Sequence, residues 1–318
     1  KFFVDHFLKV GGELASARGG GSYSTGGRAT RVGVSMVLVN LLKHQAKLGK
    51  LGTNGSLSYE DAIAFVMKMV GPDMEKQLKT SGGLGSAALD AASSRVSIAE
   101  KSSSLFGINR ISSADPALAV LSACRILRKG LAQGATEPTQ LNILNILTEK
   151  CSSATVVRSE EAKGEALNRL QLQVVLTEIS HLITALGEAA TFSLGELLPA
   201  IKACLEHPDH GVRHEAALVC TTLAKPFPTD CRRLVKTSIN EIQSHHVELV
   251  THAQSAADTK EVATPKRRFL SKPTSQEEVA NEQSLKHQYA IHGHSLMISL
   301  LFHELPNSPG GLTKELLD

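Results

Sequence analysis

Between residues 165 and 186, the apolar side chains fall at Leu172, Val175, Leu176, Ile179, Leu182, Ile183 and Leu186. Steps of three and four trace one face of an α-helix, whereas a half-buried strand needs strict alternation. Gln171, Gln173, Glu178, Ser180 and His181 take much of the other face, and Gly187 stands where a left-handed C-cap is expected. Residues 32–48 follow the same pattern, and no convincing alternating run occurs in the chain. A stripe of this kind has to be buried against another element. The chain is expected to be all-α.

The core must be built with few large rings. Hydrophobic residues make up 42% of the 318, but aromatics only 4%, and Trp is absent. That leaves Leu, Val, Ile and Ala, of which Ala and Leu are strong helix formers. The length accommodates one large domain or two ordinary ones.

Capping chemistry marks four helix starts. Ser58 with Asp61 opens one, and Asp115 followed by Pro116 combines an N-cap with Pro at the first helical position. Ser193 with Glu196, and Ser275 with Glu278, have the S-x-x-E spacing of a capping box.

Between the helical runs lie three loose stretches. Residues 18–27 are Gly/Ser-rich, residues 80–114 are rich in Ser, Gly and Ala, and residues 258–274 form a charged linker with two prolines. They divide the chain into N-terminal helical repeats (1–79), an insertion (80–114), a run of repeats (115–257), the linker (258–274) and a C-terminal repeat (275–318). The chain starts with Lys inside what reads as an amphipathic helix, so it is expected to be part of a longer protein.

Charge and chemistry narrow the function classes. Lys+Arg 34 against Asp+Glu 31 leaves a net charge of +3, far from the basic footprint of a nucleic-acid binder. Cys124, Cys151, Cys204, Cys220 and Cys231 form no C-x-x-C pair and read as buried, reduced thiols of a cytosolic protein. The most apolar stretch by eye, 32–42, is too short to cross a bilayer. There is no G-x-x-x-x-G-K-[ST] phosphate loop, and no cofactor is expected.

Three local motifs remain. Gly293-His294-Ser295 begins like a hydrolase nucleophile elbow, but Met297 stands where the second Gly is needed, so Ser295 is not expected to be catalytic. His287, His292, His294 and His303 cluster in sequence, as do His245 and His246, but His292 and His294 are two apart, unlike the i, i+4 pair of a zinc helix, and no Cys or carboxylate is read as completing a set at ligand spacing. No metal is expected on this reading. Pro265-Lys266-Arg267-Arg268 reads as a solvated basic run, with Thr264 and Ser275 as conceivable phosphorylation sites beside it.

The sharpest motif spans 196–224. Leu197, Leu198, Ile201 and Leu205 form the stripe of one helix, Asp209 can cap the next, and Val212, Ala216, Val219 and Leu223 form the second stripe. Pro199 in the first helix, with Asp209, Val212 and Arg213 as D-x-x-V-R at the turn, resembles a HEAT repeat. The resemblance implies an α-solenoid of the HEAT/armadillo type, built from stacked antiparallel helix pairs, with Asp209 and Arg213 in a ladder between repeats. Residues 30–52, 117–135 and 291–317 are similar to the N-terminal region of the HEAT repeat-containing protein 5 family. That likeness implies a non-enzymatic scaffold that assists a clathrin adaptor in vesicle traffic between endosomes and the trans-Golgi network. Its partners would be the adaptor complex or its accessory proteins, it would be cytoplasmic, and it would meet membranes only through those partners. Other HEAT scaffolds, of the nuclear transport receptor or phosphatase type, are the alternative within this fold, and a Ser295-dependent hydrolase is the alternative outside it.

Overall fold

The structure, a computed structural model, describes residues 33, 35–44, 58–70, 116–156, 167–261 and 275–304. Every regular element among them is helical, and the described residues contain no strand. The Gly/Ser-rich stretch 18–27, the insertion 80–114 and residues 262–274 of the linker lie outside the described residues. The chain divides into two compact units, Lys1–Ala200 and Ile201–Asp318.

In the first unit, helix α1 (Tyr59–Met69) starts where the capping signal placed it, with the Asp61 N–H donating to Ser58 Oγ at 3.0 Å. Helix α2 (Pro116–Arg125) begins on its proline. Asp115 lies outside the described residues. The run 117–135 is not one α-helix: after Arg125 the chain widens into a π-helix, Ile126–Ala132, that buries five of its seven residues. Gly130 lies there against the helical stretch 35–44, where a Cβ would stand 3.1 Å from a Leu42 methyl.

Helix α3 (Glu137–Val156) and helix α4 (Arg169–Leu186) pack together, and α2 packs on α4 as well. Having neighbours on more than one side explains why α4 departs from a two-faced pattern. Leu172, Val175, Leu176, Ile179, Leu182 and Ile183 are buried as the register requires, but so are Gln171, Gln173 and Glu178. Gln171 and Glu178 have specific partners, as burial demands. Gln171 Nε2 donates to the Met67 carbonyl at 2.8 Å, and Arg128 Nη2 donates to Glu178 Oε1 at 3.1 Å. Asn168 caps α4 in a reciprocal box with Gln171, and its Nδ2 donates to the Val70 carbonyl at 2.9 Å. One cap therefore starts α4 and holds the end of α1.

Two expectations change at the end of α4. Gly187 does have positive φ (58°), but ψ is −129°, and the chain continues as a 3-10 segment, Gly187–Ser193, into helix α5 (Leu194–Leu205). A capping box needs an extended residue ahead of the helix, and here the backbone is already helical. Ser193 instead donates its hydroxyl to Asn145 Oδ1 of α3 at 2.6 Å. Among the described residues, Arg169–Leu205 is long and apolar enough by composition to cross a bilayer, but 61% of its most apolar window is buried by the fold.

The second unit starts within α5 and contains helix α6 (His210–Ala224), helix α7 (Pro228–Glu261) and helix α8 (Ser275–Glu304). Helix α7 takes in residues 258–261, which the sequence assigned to the linker. Ser238 meets His294, and His245 meets His287, so α7 and α8 run antiparallel. At one end of this hairpin Cys231, Leu234 and Val235 on α7, and Met297 and Leu301 on α8, are buried. Helix α8 also packs on α6, so its buried face needs small residues. Gly293 marks the closest approach: a Cβ there would overlap the Leu205 carbonyl oxygen and stand 3.2 Å from Arg213 Cδ.

Gly293→Ala is expected to cost at least about 3 kcal/mol, because a backbone carbonyl cannot step aside as a side chain can. Ser295→Ala, two residues further on and exposed, is expected to melt like the wild type. Thermal melts of the two variants, with the first unchanged, would overturn this packing.

Candidate functional site

Histidines and their partners concentrate on α6, α7 and α8, where three groupings stand out. The first is the turn of the HEAT-like motif. Asp209 has extended φ and ψ (−78° and 126°), and its Oδ1 accepts the Val212 N–H at 3.2 Å, which starts α6. Val212 is buried and Pro199 is exposed within α5. Arg213 is 6% exposed. Its Nη1 donates to the carbonyls of His207 and Pro208, both at 2.7 Å, so the guanidinium closes the turn on itself. Its Nε donates to His292 Nδ1 at 3.2 Å, and its guanidinium carbon lies 5.1 Å from the Tyr289 ring centroid, which ties the turn to α8.

The second grouping is buried. His294 Nδ1 and Ser238 Oγ are 2.9 Å apart, and His294 Nε2 lies 3.6 Å from Glu206 Oε1, an ion-pair distance longer than a direct hydrogen bond. Serine, imidazole and carboxylate in this order have the sequence of a nucleophilic relay. Ser238 and His294 are both fully enclosed, however, and a nucleophile has to reach its substrate. The facing imidazole holds the Glu206 carboxyl below its ordinary value, against the opposing effect of burial. Ser295, the serine of the elbow-like motif, sits exposed in the middle of α8, not on a strand-to-helix turn.

The third grouping is one the sequence spacing concealed. His245 and Glu248, one turn apart on α7, meet His287 of α8. Their ligand-type atoms all lie within 4.8 Å of one another. His245 Nδ1 is 2.9 Å from His287 Nδ1, and Glu248 Oε2 is 3.0 Å from His287 Nδ1 and 3.7 Å from His245 Nδ1. The carboxylate thought missing from the histidine clusters was present on the same turn as His245, but the second histidine came from another helix. By contrast, His292 is exposed and His294 buried, as a two-residue offset on one helix requires.

The cysteines offer no reactive site. All five are buried and free of disulfides. Burial pushes the Cys231 thiol up to about 11 and Cys220 further in the same direction, so both stay protonated and weakly nucleophilic at neutral pH. Comparison with family profiles, curated proteins and solved structures finds no match to this chain.

Two measurements test the turn. Arg213→Ala leaves two carbonyls without their shared donor and is expected to cost about 2 kcal/mol in a thermal or urea melt; an unchanged midpoint would count against the stitch. Burial, then the charge of Arg213, then His210, hold the His292 pKa below its ordinary value of 6.5. The unfolded chain then takes up this proton more readily, so the His292 contribution is complete above about 6.5 and is lost as pH falls through the lower folded value. The melting midpoint is expected to fall modestly between about pH 7.5 and pH 5.5. His292→Asn, which keeps an acceptor for Arg213, should flatten that fall.

Proposed function

We propose that this chain is a protein-binding scaffold of the HEAT type, a segment of an α-solenoid that assists a clathrin adaptor in traffic between endosomes and the trans-Golgi network. The observation that carries the scaffold reading is the α5–turn–α6 unit. Its turn is capped by Asp209, and Arg213 secures it to α8, the kind of helix–turn–helix module from which stacked arrays are built. The choice of adaptor partner rests on the family resemblance of residues 30–52, 117–135 and 291–317.

A scaffold acts through surface. Phe192, 93% exposed on the 3-10 segment ahead of α5, and Glu196 in the first turn of α5 flank the module and are available to a partner. Exposed aromatics of this kind serve as anchors in protein interfaces.

The test is capture of adaptor subunits by the protein, comparing wild type with Phe192→Ala and Glu196→Arg. Both changes are on exposed side chains, so melting should stay within about 0.5 kcal/mol of wild type, while capture is expected to drop severalfold. Undiminished capture by folded variants, or no adaptor capture by the wild type, would sink this assignment.

A further inference from the structure

Among the described side chains, the fully buried apolar positions of the α7–α8 hairpin lie towards one end. Cys231, Leu234, Val235 and Ser238 are buried on α7, but from Ile239 to Thr251 every described side chain is partly or fully exposed. Among the described side chains of α8 the buried positions start at Ala290, and residues 281–289 are partly or fully exposed. Beyond this limit Val247, Val250 and Leu285 are exposed, and Ile242 and Leu249 are only half-buried. Yet the two helices still meet there, and the groups that meet are His245, Glu248 and His287.

These three groups are a coherent donor set. Two imidazole nitrogens and one carboxylate oxygen are the borderline ligands that zinc and its first-row neighbours take, whereas calcium and magnesium favour all-oxygen shells. The distances fit one small ion: edges of 2.9, 3.0 and 3.7 Å define a triangle whose corners are roughly 1.9 Å from its centre. An ion at the usual zinc–nitrogen distance of about 2.0–2.1 Å would therefore sit just out of the plane of the three atoms. Its free side would carry water or a fourth donor.

Access and support are also suitable. The side chains of His245 and His287 are 20% and 17% exposed, and Glu248 is 49% exposed, so an ion can enter without opening the core. Behind His245, Glu241 Oε2 lies 3.8 Å from Nε2, leaving Nδ1 directed at His287, and Lys202 pairs with the other Glu241 oxygen. A carboxylate facing the far ring nitrogen is the usual outer support of a ligating histidine.

We infer that His245, Glu248 and His287 form a binding site for one zinc-class divalent ion, which fastens α7 to α8 beyond the fully buried part of their contact. The ion replaces a shared-proton contact between two imidazoles with three metal bonds. Its free coordination position faces outward and is open to a donor side chain of another protein.

The test is calorimetric titration of the chain with Zn²⁺ alone, with Mg²⁺ and Ca²⁺ as comparisons, together with melts at each metal concentration. The wild type is expected to take up one more Zn²⁺ than the His245→Gln/His287→Gln double variant, and to melt higher with Zn²⁺ but not with Mg²⁺ or Ca²⁺. Glu248→Gln, at the most exposed of the three positions, should keep the fold and bind Zn²⁺ at least tenfold more weakly. His246→Asn and His303→Asn, which change exposed histidines outside the triad, should retain wild-type uptake. Equal uptake and an equal rise in melting for wild type and double variant would overturn the site, as would no Zn²⁺ uptake by the wild type. Weakening by His246→Asn as large as that by His287→Gln would also overturn it, by assigning uptake to scattered surface histidines.

Discussion

The second unit depends on a backbone contact that only glycine permits. At Gly293, α8 comes close enough to the last turn of α5 that the Leu205 carbonyl occupies the space of a side chain. That approach fixes the position of everything else on α8. His292, on one side of the glycine, reaches Arg213, and His294, on the other, reaches Ser238 and Glu206. About two turns earlier on α8, the same register brings His287 to His245. A shift by one residue would rotate each of these groups off its partner by about a quarter turn or more.

Arg213 shows how a motif residue takes part in more than its own turn. Its buried charge is offset by two carbonyls, one imidazole and one aromatic face, all polarised to receive a cation. The arginine both shapes the loop before α6 and sets the distance from α6 to α8. In the first unit Asn168 and Gln171 do comparable work with neutral groups: the box that starts α4 also donates to the carbonyls of Met67 and Val70 at the end of α1. In both units a cap spends its spare hydrogen-bonding capacity on a segment distant in the chain.

What was legible in the sequence was local. Ser58, Asp209 and Pro116 act within one turn of themselves, so residue type and spacing are enough to place the helix starts. The apolar stripe of α4 was legible for the same reason. The burial of Gln171, Gln173 and Glu178 was not, because it depends on how many neighbours surround α4, and the partners of Gln171 and Glu178, the Met67 carbonyl and Arg128, come from far away in the chain. Ser193 shows the opposite error: the S-x-x-E spacing is present, but the chain reaches it already helical, and the hydroxyl has a better use at Asn145. The triad was hidden by distance along the chain. Spacing rules detect ligands on one helix, and here His245 and Glu248 supply two while His287 comes from 42 residues away, across the hairpin.

The position of that triad follows from the composition of the two helices. A long antiparallel pair needs a seam along its length, and among the described residues of α7 the fully buried aliphatic positions reach only as far as Val235, with Ile242 and Leu249 half-buried beyond it. Past Ser238 the α7 groups that meet His287 of α8 are His245 and Glu248, neither of which is stable when fully desolvated and unpaired. Such groups can hold helices together only through directed contacts, and directed contacts tolerate water. A polar seam thus keeps the end of the hairpin joined and open to solvent at once. For a chain whose described elements are all helices, this is where a small ion or a partner's side chain can be added without disturbing the apolar packing around Gly293, since the two regions share the register of α8 but no side chain.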